Sequence, residues 1–204
     1  LGPLLWAVAL RYRLAEPLAA FIAAGRPVLG ICNGFQALVK AGLLPGGTNG
    51  TPAAARQTVT LTRNDSARFE CRWVYLQPQA ASPCVFTRGL DELIHCPVAH
   101  GEGKFVPADT ATLVELEAGG LVALRYTRPD GQAHPGGTVG YPWNPNGSAG
   151  DIAGICNAAG TVLGLMPHPE NHIIEEQGPQ YRRGERGQLG LALFRNGVRY
   201  AAAL

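Results

Sequence analysis

Several things are scarce in this sequence of 204 residues, and each scarcity excludes a class of protein. Charge of one sign is missing: 17 Lys and Arg stand against 15 Asp and Glu, a net charge of +2. So small an imbalance gives no electrostatic case for nucleic acid or an anionic membrane. Long hydrophobic runs are missing too. The apolar stretches are broken by Arg, Pro or Gly within a few residues, so none is long enough to span a bilayer. Residues 1–9 are apolar but lack a basic segment before them and a cleavage site, so they do not read as a signal peptide. The five cysteines are odd in number and irregularly spaced, without a C-x-x-C pair. A disulfide framework or zinc site is therefore not expected, and a reducing, cytoplasmic setting is. There is no internal repeat and no linker. With 46% hydrophobic and 16% charged residues, the chain reads as one globular domain over residues 1–204.

Against this background one stretch stands out, Pro27-Val28-Leu29-Gly30-Ile31-Cys32-Asn33-Gly34-Phe35-Gln36. Val28 to Ile31 is a short apolar run that suits a buried strand. Phe35 to Lys40 reads as a helix that Gly42 can stop. Cys32 thus sits at a sharp strand-to-helix turn between Gly30 and Gly34, in the pattern of a nucleophile elbow. The glycines are expected to avoid Cβ clashes around a strained residue. A helix N-terminus favours a thiolate, and the N–H of Asn33 points where an oxyanion would form. The alternative is a small buried cysteine in a core strand.

The rest of the chain supplies a frame. Leu14, Leu18, Phe21 and Ile22 form the apolar stripe of a helix that Gly25 ends. Residues 45–56 read as a loop, residues 57–62 and 71–76 as strands, and Leu93 to Ala99 as a third apolar segment. Arg72 either holds a carboxylate or lies at the surface, and the surface is the expected place. Asp109 or Thr110 caps a short helix closed by Gly119-Gly120. Leu121 to Tyr126 is a strand, and residues 128–137 and 144–148 are loops. Ile152 to Cys156 and Thr161 to Met166 flank a turn and read as a hairpin. Residues 178–187 are expected to be a mobile loop, and Leu189 to Val198 a last helix. Helix, strand, elbow and helix together imply an α/β fold.

A cysteine nucleophile needs a base, and the base an orienting acceptor. Pro167-His168-Pro169-Glu170 offers both on one rigid turn. His168 would exchange a proton with Cys32 and the leaving amine, and Glu170 would hold the other ring nitrogen. His168 and His172 are four apart, a spacing that suits metal only on a helix, and Pro169 makes a helix poor there. No metal is expected. Cys96 reads as core. His100-Gly101-Glu102-Gly103 places polar groups between glycines at a strand end, as either a site or an ordinary turn.

Taken together, Gly30-Ile31-Cys32-Asn33-Gly34-Phe35-Gln36, Ala41 to Gly46, Cys71-Arg72-Trp73-Val74, Ala99 to Gly103, Asn144-Pro145-Asn146-Gly147-Ser148 and Gly164 to Glu170 resemble the class I (triad) glutamine amidotransferases. Within them the match is to the glutaminase subunits of phosphoribosylformylglycinamidine synthase, a family of purine biosynthesis. The resemblance covers almost the whole chain. It implies a flavodoxin-like α/β domain with a central, mostly parallel sheet, helices on both faces and extra antiparallel strands. It implies a triad of Cys32, His168 and Glu170, an oxyanion contact at Asn33, and glutamine-binding roles for Gln36, His100 and Glu102. No cofactor is implied in this subunit; ATP and Mg would serve the large synthetase subunit, with a small accessory subunit completing the complex. The family begins with a strand, a helix and further strands, including a Pro-Gly-Gly-Phe-Ser segment that supplies a second oxyanion N–H. These are absent from the present sequence, so the domain is expected to be N-terminally incomplete, without its first strands. Three other readings stay open: another triad amidotransferase, a silent docking subunit, and a cysteine hydrolase of the same general fold.

Overall fold

The computed structural model describes residues 2–46, 57–131 and 137–204. The chain opens with α1 (Gly2–Tyr12) and α2 (Ala15–Ala23), followed by β1 (Val28–Ile31) and α3 (Asn33–Lys40). Next come β2 (Val59–Thr62), β3 (Glu70–Pro78), β4 (Ile94–His100), β5 (Lys104–Pro107) and α4 (Thr110–Ala118). β6 (Val122–Thr127), β7 (Ile152–Cys156), β8 (Val162–Leu165) and α5 (Leu191–Ala202) complete the described elements. The expected loop over 45–56 falls largely, and that over 128–137 by half, outside the described residues, at 47–56 and 132–136.

Local chemistry accounts for most boundaries. Asp109 caps α4, its carboxylate accepting from the Thr112 N–H at 2.8 Å. Pro17 stands in the first turn of α2, where a missing N–H costs little. Residues 178–187, expected as a mobile loop, carry a short 3-10 turn at Tyr181–Arg183, and the Gly187 N–H donates to the Glu175 carboxylate.

Six strands form one sheet in the order β1-β8-β7-β6-β3-β4, and β2 pairs with β5 in a separate ribbon. The α/β class is as expected, but the expected mostly parallel sheet is not what the described residues form. Only β1 and β8 are parallel; the other four ladders of the sheet are antiparallel. For β7 and β8 the reason is connectivity: the short link Asn157 to Thr161 returns the chain alongside itself, whereas a parallel neighbour needs a long crossover. Among the described residues no strand pairs with the other edge of β1.

Two apolar layers cover the sheet. Phe35, Leu38 and Val39 of α3 and Leu116 of α4 pack with Val162, Met166, Ile152 and Ile155 on one face. Leu193 of α5 packs with Leu163, Leu165, Leu124 and Val74 on the other. Helices therefore lie on both faces. In the parallel ladder Gly30 stands opposite Gly164. A Cβ at Gly30 would lie 2.5 Å from Leu38, and one at Gly164 would lie 2.1 Å from the Phe35 ring. The paired glycines let α3 sit close against the strands that carry the elbow.

Candidate active site

Cys32 lies between β1 and α3 with φ 53° and ψ −107°, a conformation that a non-glycine residue rarely holds. Its N–H donates to the Leu165 carbonyl at 2.8 Å, which extends the β1–β8 ladder by one rung. Helix α3 starts at Asn33, two residues earlier than the apolar pattern suggests. As the first helical residue, Asn33 has an N–H without an intrahelical acceptor, the donor an oxyanion would need. The expectation for the two flanking glycines divides. Gly30 is sterically required, but nothing lies within 4 Å of a Cβ built on Gly34. Gly34 leaves the space beside the elbow open.

His168 and Glu170 follow β8. The His168 N–H donates to the Pro97 carbonyl of β4 at 2.8 Å. β4 is the far edge of the sheet, so this bond closes a curl that brings the turn after β8 to the opposite edge. Pro97 fits an edge strand because it has no N–H to leave unpaired. Pro169 then opens a 3-10 turn, Pro169–Asn171, that folds Glu170 back onto the ring. The distance between His168 Nδ1 and Glu170 Oε1 is 2.6 Å. The His168 pKa is pushed up to about 9, first by the Cys32 side chain and next by the Glu170 hydrogen bond, against the opposing effect of burial. His168 Nε2 is buried without a hydrogen bond of good geometry, yet Cys32 is the strongest influence on the ring. Cys32, His168 and Glu170 are thus brought together.

Gln36 lies one turn along α3 from Cys32, its N–H donating to the Cys32 carbonyl. Its side-chain Nε2 donates to the Glu102 backbone carbonyl at 2.6 Å. That contact fixes the amide orientation and leaves Oε1 without a donor among the described residues. Glu102 presents its carbonyl to Gln36, while its residue is exposed.

His100 is buried and held by Asn64. The Asn64 Nδ2 donates to the His100 and Arg68 carbonyls, so Oδ1 must be the atom facing the Gly103 N–H and His100 Nδ1. An acceptor opposite Nδ1 places the ring proton there and leaves Nε2 bare. Burial lowers the His100 pKa to about 4, with a further lowering from His168. His100 is therefore a neutral ring near the triad, with Nε2 buried and unpartnered among the described residues.

His172 does not join His168 on a shared site. Its Nδ1 lies 2.6 Å from the His95 carbonyl, and the ring meets Trp73 edge-on. Cys96 is fully buried core, as expected. Arg72 is not the free surface residue expected. It pairs with Glu70 at 2.8 Å, donates to the Tyr141 hydroxyl and lies over the Tyr141 ring.

No sequence pattern points to Asn64, which lies in an unremarkable stretch between β2 and β3. Nor does any show that Asn144, Asn146 and Ser148 are buried behind the His100–Gly103 turn. Three polar residues with one glycine in five positions are a signal, but one that reads first as a surface turn.

A family model described as a CobB/CobQ-like glutamine amidotransferase domain matches residues 4–201. Among curated proteins, phosphoribosylformylglycinamidine synthase subunit PurQ of Treponema denticola is 43% identical over 202 residues, 96% of this chain and 74% of that protein. The subunit of the same name from Archaeoglobus fulgidus is 43% identical over 195 residues, 94% of this chain and 69% of that protein. Among solved structures, that of PurLQS from Thermotoga maritima superposes with a TM-score of 0.63 at 31% identity, covering 95% of this chain and 71% of that chain. The elbow, the charged histidine turn and these likenesses lead to one conclusion: the chain belongs to the glutamine amidotransferase family, alongside the PurQ subunits.

Proposed function

We propose that this chain is the glutaminase subunit of phosphoribosylformylglycinamidine synthase. It hydrolyses glutamine to glutamate and ammonia, and passes the ammonia to the synthetase subunit. That partner uses ATP and Mg to convert formylglycinamide ribonucleotide to formylglycinamidine ribonucleotide. The large synthetase subunit and a small accessory subunit are its partners, a reading supported by the likeness to PurLQS of Thermotoga maritima. The observation that carries the reading is the 2.6 Å His168–Glu170 pair whose ring is influenced most by Cys32, presented on a strained elbow.

Cys32 Sγ attacks the side-chain carbonyl carbon of glutamine. The Cys32 thiol proton passes to His168 before the attack, and His168 then gives it to the leaving amide nitrogen, so that the C–N bond breaks, ammonia departs and a glutamyl thioester remains. A His168 pKa of about 9 favours the imidazolium at neutral pH, the form that can protonate the leaving nitrogen. Glu170 holds Nδ1 and stabilises that cation. Asn33 N–H donates to the oxyanion. Water then cleaves the thioester, giving its proton through His168 to Cys32 and releasing glutamate. The Oε1 of Gln36 suits the α-ammonium of the substrate. His100 and Glu102 complete the walls of the site. The subunit itself needs no cofactor. All five cysteines are free thiols, and no helix among the described residues is long and apolar enough to cross a membrane. Free thiols suit a cytoplasmic setting.

The test is glutamate release from glutamine by the chain alone and with the synthetase, ATP and formylglycinamide ribonucleotide. Turnover that appears with the partner and vanishes in Cys32→Ala is expected. Equal turnover in Cys32→Ala would refute the triad.

A further inference from the structure

The buried loop at 144–148 plays no part in the chemistry above, yet it braces the turn on which Gln36 rests. Asn146 is fully buried and all four of its side-chain hydrogen bonds are made. Nδ2 donates to the Gly103 carbonyl at 2.8 Å and to the Tyr126 hydroxyl at 3.0 Å. Oδ1 accepts from the Ser148 N–H at 3.1 Å and the Ser148 hydroxyl at 2.7 Å. Ser148 Oγ in turn accepts from the Phe105 N–H at 3.0 Å. From the other side, Asn64 donates to the His100 carbonyl and accepts from the Gly103 N–H. Backbone groups at 100, 103 and 105 are thus tied to buried side chains. The Glu102 carbonyl lies between them and accepts from Gln36 Nε2. The turn also needs glycine at 103, where a Cβ would lie 2.3 Å from the His100 ring.

We propose that Asn146 is a positioning residue for glutamine: by holding the 100–103 turn it places the Glu102 carbonyl, which orients the Gln36 amide so that Oε1 faces the substrate. This rests on the reading of Gln36 as a glutamine contact. Asn146 touches neither substrate nor Cys32; it acts through Gln36. The interaction it supports is present in the substrate complex and the transition state alike, so its loss falls on KM and not on kcat.

The experiment is a double-mutant cycle in the assembled synthase, with Asn146→Asp, Gln36→Ala and the pair, and with active sites counted by iodoacetamide labelling of Cys32 read on its own peptide by mass spectrometry, since Cys71 is also exposed. Asn146→Asp keeps the acceptor for Ser148 and loses the donor to Gly103. Ser148→Ala, which removes the acceptor for Phe105, serves as a second variant if Asn146→Asp does not fold. Each single change is expected to raise the glutamine KM about tenfold, with kcat per labelled site within about threefold. The double variant should be no worse than the more severe single one, because both act through one amide. A lower kcat with unchanged KM would make Asn146 merely structural and overturn the proposal, as would KM effects that multiply. Absence of glutamine turnover in the unmodified complex would instead defeat the proposed function itself, and this inference with it.

Discussion

Glu170 Oε1 lies 2.6 Å from His168 Nδ1, folded onto the ring by a turn that Pro169 opens. The hydrogen bond fixes the proton on Nδ1 and turns Nε2 toward the elbow, which is the geometry a proton shuttle needs. Glu170→Gln should keep the fold and lower kcat steeply. The scale is set by the loss of up to about 10⁴-fold that follows the same change in a Ser-His-Asp triad. Steady-state glutaminase rates of the complex check this; a change under tenfold would remove Glu170 from the triad.

The raised His168 pKa has Cys32 as its first cause. Cys32→Ala should therefore move the His168 titration down from about 9 toward the ordinary histidine value. The imidazole resonances followed by NMR across pH 5 to about pH 10 report this directly. An unmoved midpoint would mean that Cys32 and His168 do not interact.

Gly30 and Gly34 should respond in opposite ways to alanine. At Gly30 the new methyl would lie 2.5 Å from Leu38 and 2.8 Å from the Gly34 backbone. Overpacking of this kind costs about 1–3 kcal/mol. At Gly34 the space is open, and alanine in the first turn of α3 should leave stability unchanged or raise it by up to about 1 kcal/mol. Urea unfolding of both variants separates the two cases; equal losses would contradict the packing of α3 on β1.

His95 lies flat on Tyr75, with ring centroids 4.2 Å apart and 3° between planes. Burial lowers its pKa to about 4, with a smaller contribution from His172. The unfolded chain takes up the proton near pH 6.5, so between about pH 6.5 and pH 4 it binds more protons than the folded one. Stability is thus lost as pH falls through that window. His95→Phe keeps a ring on Tyr75 and removes the titration. Its unfolding free energy should fall less between pH 7 and about pH 5 than that of the unmodified chain. An identical fall would place the acid sensitivity elsewhere.

Much of this is legible in the residues because it depends on local chemistry. The elbow follows from strand, cysteine and glycine in immediate sequence, and the β7–β8 hairpin from the turn residues between two apolar runs. Pro167-His168-Pro169-Glu170 reads as a rigid presentation of base and acceptor, since proline fixes the backbone whatever surrounds it. What escapes depends on pairings distant in sequence. No local pattern shows that Pro97 on the far edge strand accepts from His168, or that Asn64 sets the tautomer of His100. Arg72 is expected at the surface because an arginine usually lies there; its ion pair with Glu70 is local to β3, but its contact with Tyr141 depends on how β3 meets a loop nearly 70 residues later. The strand directions depart from expectation for a similar reason. One β-α unit suggests parallel pairing, while the direction of the later strands is set by how they meet across the sheet, which local periodicity does not reveal.

The most direct test of the central claim follows the nitrogen itself. Glutamine labelled with ¹⁵N in the side-chain amide is given to the assembled synthase with ATP and formylglycinamide ribonucleotide, and the product is analysed by mass spectrometry. With the unmodified chain, ¹⁵N should enter the product amidine. With Cys32→Ala, label from glutamine should disappear, while added ammonium chloride still supports product formation. Undiminished transfer from glutamine in Cys32→Ala would contradict the assignment of Cys32 as the nucleophile.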